Sequence, residues 1–126
     1  MINDPTTLAE ITAAFDRYEA ALTANDIDTL SGLFHDSPHT VRFGVGENLY
    51  GCAAITEFRT ARTGGSPERE IARKVITSFG TNFAVTNIEF RRRASGQVGR
   101  QSQTWVRTDD GWKIVSAHVS LMAGHS

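Results

Sequence analysis

The chain has 126 residues, of which 40% are hydrophobic and 21% are charged. A chain of this length forms a single core, so we predict one domain over residues 1–126. The net charge of -1 comes from well-mixed signs, which excludes the basic surface of a nucleic-acid-binding protein. The composition is also too apolar for a disordered chain.

The cysteine content indicates a reducing compartment. Cys52 is the single cysteine, so no internal disulfide can form, and this usage is typical of the cytosol. The sequence has no basic and apolar leader and no apolar run long enough to cross a bilayer. We therefore expect a cytoplasmic protein with no membrane partner.

The first predicted helix begins at Asp4-Pro5, where an N-cap acceptor precedes a proline at the first helical position. Thr7 and Glu10 have the spacing of a capping box. Apolar side chains then recur every three or four residues, which predicts one buried helix face. This face carries Leu8, Ile11, Phe15, Tyr18 and Leu22.

Two further helices and a hairpin are predicted in the middle of the chain. Asn25-Asp26 caps a short second helix, and Gly44 with Gly46 permits a tight turn between residues 40–43 and 48–50. A third helix follows Gly51. The predicted inward residues are Ile27, Leu30, Leu33 and Phe34 on the second helix and Ile55 and Phe58 on the third, with Arg59 and Arg62 flanking the latter face.

The remaining sequence predicts a β-meander with strands at 70–79, 82–92, 99–108 and 112–122, because Gly- and Asp-containing turns separate these segments. Helices followed by antiparallel strands favour an α+β fold with the sheet curled over the helices.

Alternation along the last strand predicts which of its side chains face the core. The inward set is Val115, Ala117, Val119 and Leu121, and the outward set is Ile114, Ser116, His118 and Ser120. Because Trp112, Ile114 and His118 would then leave apolar and aromatic surface exposed, we predict a homodimer that pairs through the outer face of the sheet.

Tyr18 and Arg42 are the two polar groups expected to share a cavity. Arg42 lies within the predicted hairpin, and a buried guanidinium requires an anionic partner because it keeps its charge. A phenol beside this cation predicts a site for a small molecule that carries a carboxylate. Two alternatives stay open: Tyr18 donates to a backbone carbonyl in the core, and Arg42 forms a salt bridge with Glu47.

Four further residues are candidates for substrate binding. Arg59 either binds a second carboxylate or extends to solvent, and Asn48 either orients a urea carbonyl or completes the turn. Gln103 and Trp105 line the pocket if their strand face points inward. We predict no metal and no cofactor, because metal-binding helices and phosphate-binding glycine loops are missing from the sequence.

The order of these elements resembles a known family. The segments that carry the resemblance are FDRYEAAL, VRFGVGENLYG, FRTAR and GRQSQTWVRTDDGWKIVSAHVS, within a similarity from Ile11 to Met122. They are similar to the AtzH-like branch of the SnoaL-like, nuclear transport factor 2-like superfamily, which is related to the oxalurate-catabolism protein HpxZ. The resemblance implies a cystatin-like cone, a curved antiparallel sheet on three helices with a pocket inside, usually dimeric through the sheet.

The resemblance also implies an activity. AtzH-like proteins are decarboxylating amidohydrolases that convert 1,3-dicarboxyurea to allophanate in cyanuric acid catabolism, and such a protein would function beside an amidase of the same pathway. The catalytic tyrosine and arginine of the family correspond to Tyr18 and Arg42. Three alternatives remain: a non-catalytic protein that binds small carboxylates or assists assembly, an oxalurate-pathway enzyme, and an isomerase or dehydratase, although Asp16 lies off the Tyr18 face.

Overall fold

The structure is a computed structural model that describes residues 1–124, so the last two residues of the predicted domain lie outside the described part. Helices and a short hairpin precede a long meander. The elements are α1 (Pro5–Ala24), α2 (Ile27–Gly32), β1 (Val41–Phe43), β2 (Asn48–Tyr50), α3 (Cys52–Ala61), β3 (Arg69–Phe79), β4 (Phe83–Arg92), β5 (Val98–Thr108) and β6 (Gly111–Leu121).

Side-chain caps set the boundaries of the first two helices. Asp4 accepts hydrogen bonds from the backbone N–H and the hydroxyl of Thr7, at 3.1 and 2.8 Å. The predicted capping box of Thr7 and Glu10 is therefore wrong, because Thr7 lies inside α1. Asn25 ends α1 in the left-handed conformation at φ 52°, and Asp26 caps α2 by accepting from the backbone N–H of Thr29.

The six strands form one curved sheet in the order β2-β1-β6-β5-β4-β3. β1 runs parallel to β6, and the other neighbouring pairs are antiparallel. The helices precede the meander and pack on the concave face of the sheet, which confirms the predicted α+β fold. The meander strands begin and end within one residue of the predicted boundaries.

A β-bulge changes the faces of β6 from those predicted. Trp105 pairs with Ile114, whereas Thr104 pairs with Ser116, so Val115 is an extra residue in β6. An extra residue reverses the alternation on one side of a bulge. The prediction that Ile114 faces outward is therefore wrong: Ile114 is fully buried and Trp112 is also in the core, while Val115 is half-buried.

Beyond the bulge the predicted alternation holds. Ala117 is buried and His118 is exposed on the outer face, where its ring lies 5.7 Å from the ring of Phe43. Trp112 and Ile114 lie in the core, so the outer face lacks the two largest apolar residues on which the dimer prediction was based. The homodimer stays a prediction. None of the helices within residues 1–124 combines the length and apolar character needed to cross a membrane.

Candidate active site

A small cavity lies between α1, the β1–β2 hairpin and the open end of the meander. Its walls include both Tyr18 and Arg42. The volume open to the centres of water-sized molecules is about 50 Å³, and one water needs about 10 to 15 Å³ by this measure. The cavity therefore accommodates a few waters or a small ligand.

Arg42 lies at one end of this cavity, on β1. Its Nη1 donates to the Glu47 carboxylate at 2.9 Å, and its guanidinium lies 5.7 Å from the centre of the Phe58 ring. The predicted salt bridge across the hairpin is thus present. Gly44 makes room for it, because a Cβ atom at this position would overlap the Glu47 carboxylate.

The Tyr18 hydroxyl has a cationic partner. Arg59 Nη2 donates to Tyr18 Oη at 2.7 Å, so the predicted alternative of a backbone carbonyl partner is wrong. A phenol has one hydrogen to donate, and its oxygen here already accepts a charged donor. Within residues 1–124 the Tyr18 hydrogen has no acceptor, so it is available to a ligand.

Arg59 is buried, so the prediction that it extends to solvent is also wrong. Only 5% of the residue is exposed, and its guanidinium lies 5.8 and 5.9 Å from the ring centres of Tyr18 and Phe34. Within the described residues it has no carboxylate partner, and its buried Nε has no hydrogen bond. A buried cation without an anion is unfavourable, so negative charge on Tyr18 Oη would be stabilised here.

Arg69 lies at the other end of the cavity and was not predicted as a site residue. Its Nη2 donates to both oxygens of Glu19, at 2.8 and 2.9 Å, and to Gln101 Oε1 at 3.2 Å. Its guanidinium stacks on Phe90, 4.6 Å from the ring centre. No local sequence signal joins these residues, which come from α1, β3, β4 and β5.

Positive charge dominates the cavity. Arg62 and Arg92 also line it, so the described part of the chain contributes four arginines and one carboxylate, that of Glu47. Burial lowers the pKa of Arg62, and the neighbouring Arg42 lowers it further. Arginine nonetheless stays charged at neutral pH. The cavity is therefore suited to an anion.

Comparison with known proteins identifies the family. The AtzH-like family model matches residues 1–125. The chain belongs to the AtzH-like family. A protein of unknown function from the DUF3225 family of Pectobacterium atrosepticum is 50% identical, with a TM-score of 0.94 over 97% of this chain and 95% of that one. A cystatin-like fold protein from Burkholderia xenovorans is 45% identical, with a TM-score of 0.93 over 99% of this chain and 98% of that one.

The wider fold is that of the nuclear transport factor 2-like superfamily. A ketosteroid isomerase-like protein from Erwinia carotovora is similar to the AtzH-like chain at a TM-score of 0.72, with 19% identity over 95% of this chain and 99% of that one. At this identity the similarity concerns the fold alone. No curated protein shows a significant match.

Gln103 and Trp105 of this AtzH-like chain are both buried, and they belong to one hydrogen-bonded cluster. The Trp105 indole donates to Thr86 Oγ1 at 3.1 Å, and this hydroxyl donates to Gln103 Oε1 at 3.0 Å. Gln103 Nε2 has no partner among the described residues. The cavity walls include Gln101 but neither of these two predicted residues.

The other candidate residues lie apart from Tyr18 and Arg42. Asn48 is exposed on β2, opposite Phe43, and does not line the cavity. Its position is that of a residue at the end of the turn. Burial raises the pKa of the Cys52 thiol, and the Asp36 carboxylate raises it further. A raised pKa keeps the thiol protonated and unreactive.

Proposed function

We propose that this AtzH-like protein is a cofactor-independent decarboxylating amidohydrolase acting on a small urea-derived dicarboxylate of the 1,3-dicarboxyurea type. The observation that carries the proposal is the presence of Tyr18 and Arg42 in the walls of one arginine-rich cavity. Family membership supports the same reaction, because the resemblance assigns the catalytic tyrosine and arginine of the family to Tyr18 and Arg42. The product would be allophanate, which an amidase of the same pathway could consume.

The reaction removes one terminal carboxylate from nitrogen. The bond between the urea nitrogen and the carboxylate carbon breaks, its electron pair remains on nitrogen, and carbon dioxide leaves. The nitrogen then needs a proton to become an amino group. Catalysis thus requires a cation that orients the carboxylate and a proton donor close to the nitrogen.

Arg42 is suited to the first task. A guanidinium binds a carboxylate through two parallel hydrogen bonds, and Glu47 occupies only Nη1 of Arg42. The remaining donors can hold the reacting carboxylate in one orientation. Glu47 keeps the arginine in place from the side of the turn.

Tyr18 is suited to the second task. A phenol is protonated at neutral pH, and the bond from Arg59 leaves the Tyr18 hydrogen available to the substrate. When the proton moves to the urea nitrogen, negative charge develops on Oη. The buried Arg59 guanidinium stabilises that charge, because Nη2 already lies 2.7 Å from Oη.

The decisive experiment measures carbon dioxide release from freshly prepared 1,3-dicarboxyurea by wild-type protein and by Tyr18→Phe. We expect the turnover number to fall about a hundredfold or more if Tyr18 donates the proton. Tyr50→Phe is the matched control, because Tyr50 is exposed on β2 and away from the cavity. Wild-type turnover in Tyr18→Phe would overturn the catalytic assignment.

Stability alone cannot discriminate between a catalytic and a structural Tyr18. The phenylalanine variant leaves the buried Arg59 Nη2 without its acceptor, so we expect a loss of about 1 to 3 kcal/mol in either case. Turnover must be measured on folded protein, checked by circular dichroism. Thermal stabilisation of wild-type protein by the substrate without carbon dioxide release would instead favour a carboxylate-binding protein.

A further inference from the structure

We infer that Arg69 forms a second anion subsite, which binds the carboxylate that Arg42 does not hold and so selects dicarboxylates over monocarboxylates. The identity of the natural ligand rests on the proposed function, whereas the binding of a carboxylate by Arg69 does not require that reaction. Arg69 and Arg42 both line the cavity. Their chemical surroundings are alike, since each pairs with a glutamate and lies against a phenylalanine ring.

The hydrogen bonds of Arg69 leave most of its donors free. Within residues 1–124 all of its bonds pass through Nη2, to Glu19 and Gln101. Its Nε is buried and has no hydrogen-bond partner among these residues. Only 9% of the side chain is exposed. Nη1 also makes no hydrogen bond within these residues, so it is the donor left for a ligand carboxylate in the cavity.

Three other elements hold this guanidinium in a fixed orientation. Gln101 accepts from Arg69 and also donates from Nε2 to Glu19 at 3.4 Å, so the three side chains form a closed ring of contacts. Phe90 supports the flat side of the guanidinium. Gly99 permits this position of Phe90, because a Cβ atom at residue 99 would overlap the ring. An arginine fixed in this way loses little entropy when it binds an anion.

The strand order places the two arginines far apart along the sheet. Arg42 is on β1 and Arg69 is on β3, with β6, β5 and β4 between them. Four strand spacings correspond to roughly 19 Å of backbone separation along the sheet surface. Curvature brings both side chains to one cavity, which they reach from opposite flanks of the sheet. A ligand with a carboxylate at each end matches this arrangement better than one with a single carboxylate.

The charge balance also favours a dianion. Four arginines and Glu47 line the cavity, and Glu19 neutralises Arg69 from behind. These six groups sum to two positive charges, and the Arg59 guanidinium bonded to Tyr18 adds a third. Two ligand carboxylates would therefore offset more of the positive charge than a monocarboxylate would.

Calorimetric binding of glutarate and butyrate tests the subsite directly. Glutarate has the same number of atoms between its carboxyl carbons as dicarboxyurea, and butyrate lacks one of its carboxylates. We expect wild-type protein to prefer glutarate by about tenfold or more, which corresponds to one charge-assisted interaction. Arg69→Met should reduce that preference to about threefold or less, whereas Arg73→Met, on the exposed side of β3, should retain it.

A second variant distinguishes loss of the subsite from loss of the folded structure. Because Arg69→Met leaves Glu19 unpaired, the double variant Arg69→Met, Glu19→Gln removes the residual charge and should lose the preference in the same way. An undiminished preference in the folded double variant, or no preference in wild-type protein, would overturn the subsite. If Arg69 selects glutarate but the protein does not turn over dicarboxyurea, the proposed reaction is refuted and the subsite is supported. If the protein turns over dicarboxyurea but Arg69 does not select glutarate, the subsite is refuted and the reaction is supported.

Discussion

The two ends of the cavity hold arginines in similar surroundings that are built in different ways. Arg42 and Glu47 are five residues apart on one hairpin. Arg69 instead depends on Glu19 and Gln101, which are 50 and 32 residues away in the chain. The exposed side-chain fractions are comparable, 7% for Arg42 and 9% for Arg69, so burial does not distinguish them.

The difference in construction suggests a difference in role. The Arg42 end is a short hairpin whose strands have three residues each, and its guanidinium is held by Glu47 of the same hairpin through Nη1. The Arg69 end joins α1 to three long strands, and its contacts hold the guanidinium in place before any ligand binds. We therefore expect substitutions at Arg42 to affect the chemical step and substitutions at Arg69 to affect affinity.

The largest expected effect is that of Arg42→Lys. Lysine retains the positive charge but loses the planar pair of donors, so we expect the turnover number for dicarboxyurea to fall about a hundredfold. The fold should survive, as circular dichroism can check. Arg100→Lys, on an exposed position of β5, is the control, and a variant at Arg42 with wild-type turnover would remove Arg42 from the reaction.

Arg69→Lys should give the complementary result. The Michaelis constant should rise about tenfold while the turnover number changes much less, because the lost interaction is present in both the bound and the transition state. Steady-state kinetics with dicarboxyurea measures both quantities. A fall in the turnover number at constant Michaelis constant would contradict the division of roles between the two ends.

Gly99→Ala tests the support of the Arg69 end without changing a charge. The added methyl group must displace the Phe90 ring, which is buried and stacks on Arg69. We expect a loss of about 1 to 3 kcal/mol in the free energy of unfolding, together with weaker glutarate binding. Chemical denaturation and calorimetry measure the two effects, and unchanged glutarate affinity would show that Phe90 does not position Arg69.

Gly44→Ala is the matching change at the Arg42 end, and its effect on stability should be smaller. The added methyl group displaces Glu47, whose side chain is partly exposed and can move aside, so we expect a loss of about 1 kcal/mol or less. Turnover should fall severalfold because Arg42 loses its support. Gly46→Ala has open space around its Cβ position and serves as the control. Equal turnover in both variants would exclude a supporting role for Glu47.

Much of the fold followed from local patterns. The cap at Asp4, the apolar face of α1 and the turn residues of the meander predicted the elements, because each depends on residues close in the chain. The faces of β6 were predicted wrongly, since the bulge at Val115 arises from pairing with β5. The sequence pattern identified Tyr18 and Arg42 as residues that share a cavity, the resemblance to the AtzH-like family gave them catalytic roles, and the cavity has both in its walls.

The sequence by itself predicted the Arg42–Glu47 pair as one of two alternatives for Arg42, because the two residues flank one short turn. Only the tertiary structure decided the partners of Arg59 and Arg69. Arg59 was expected near a second carboxylate or in solvent, yet it donates to Tyr18, 41 residues away in the chain. No feature of the sequence indicated Arg69 as a site residue. Such contacts form when the curvature of the sheet brings distant strands against α1, and no local pattern of residues encodes that approach.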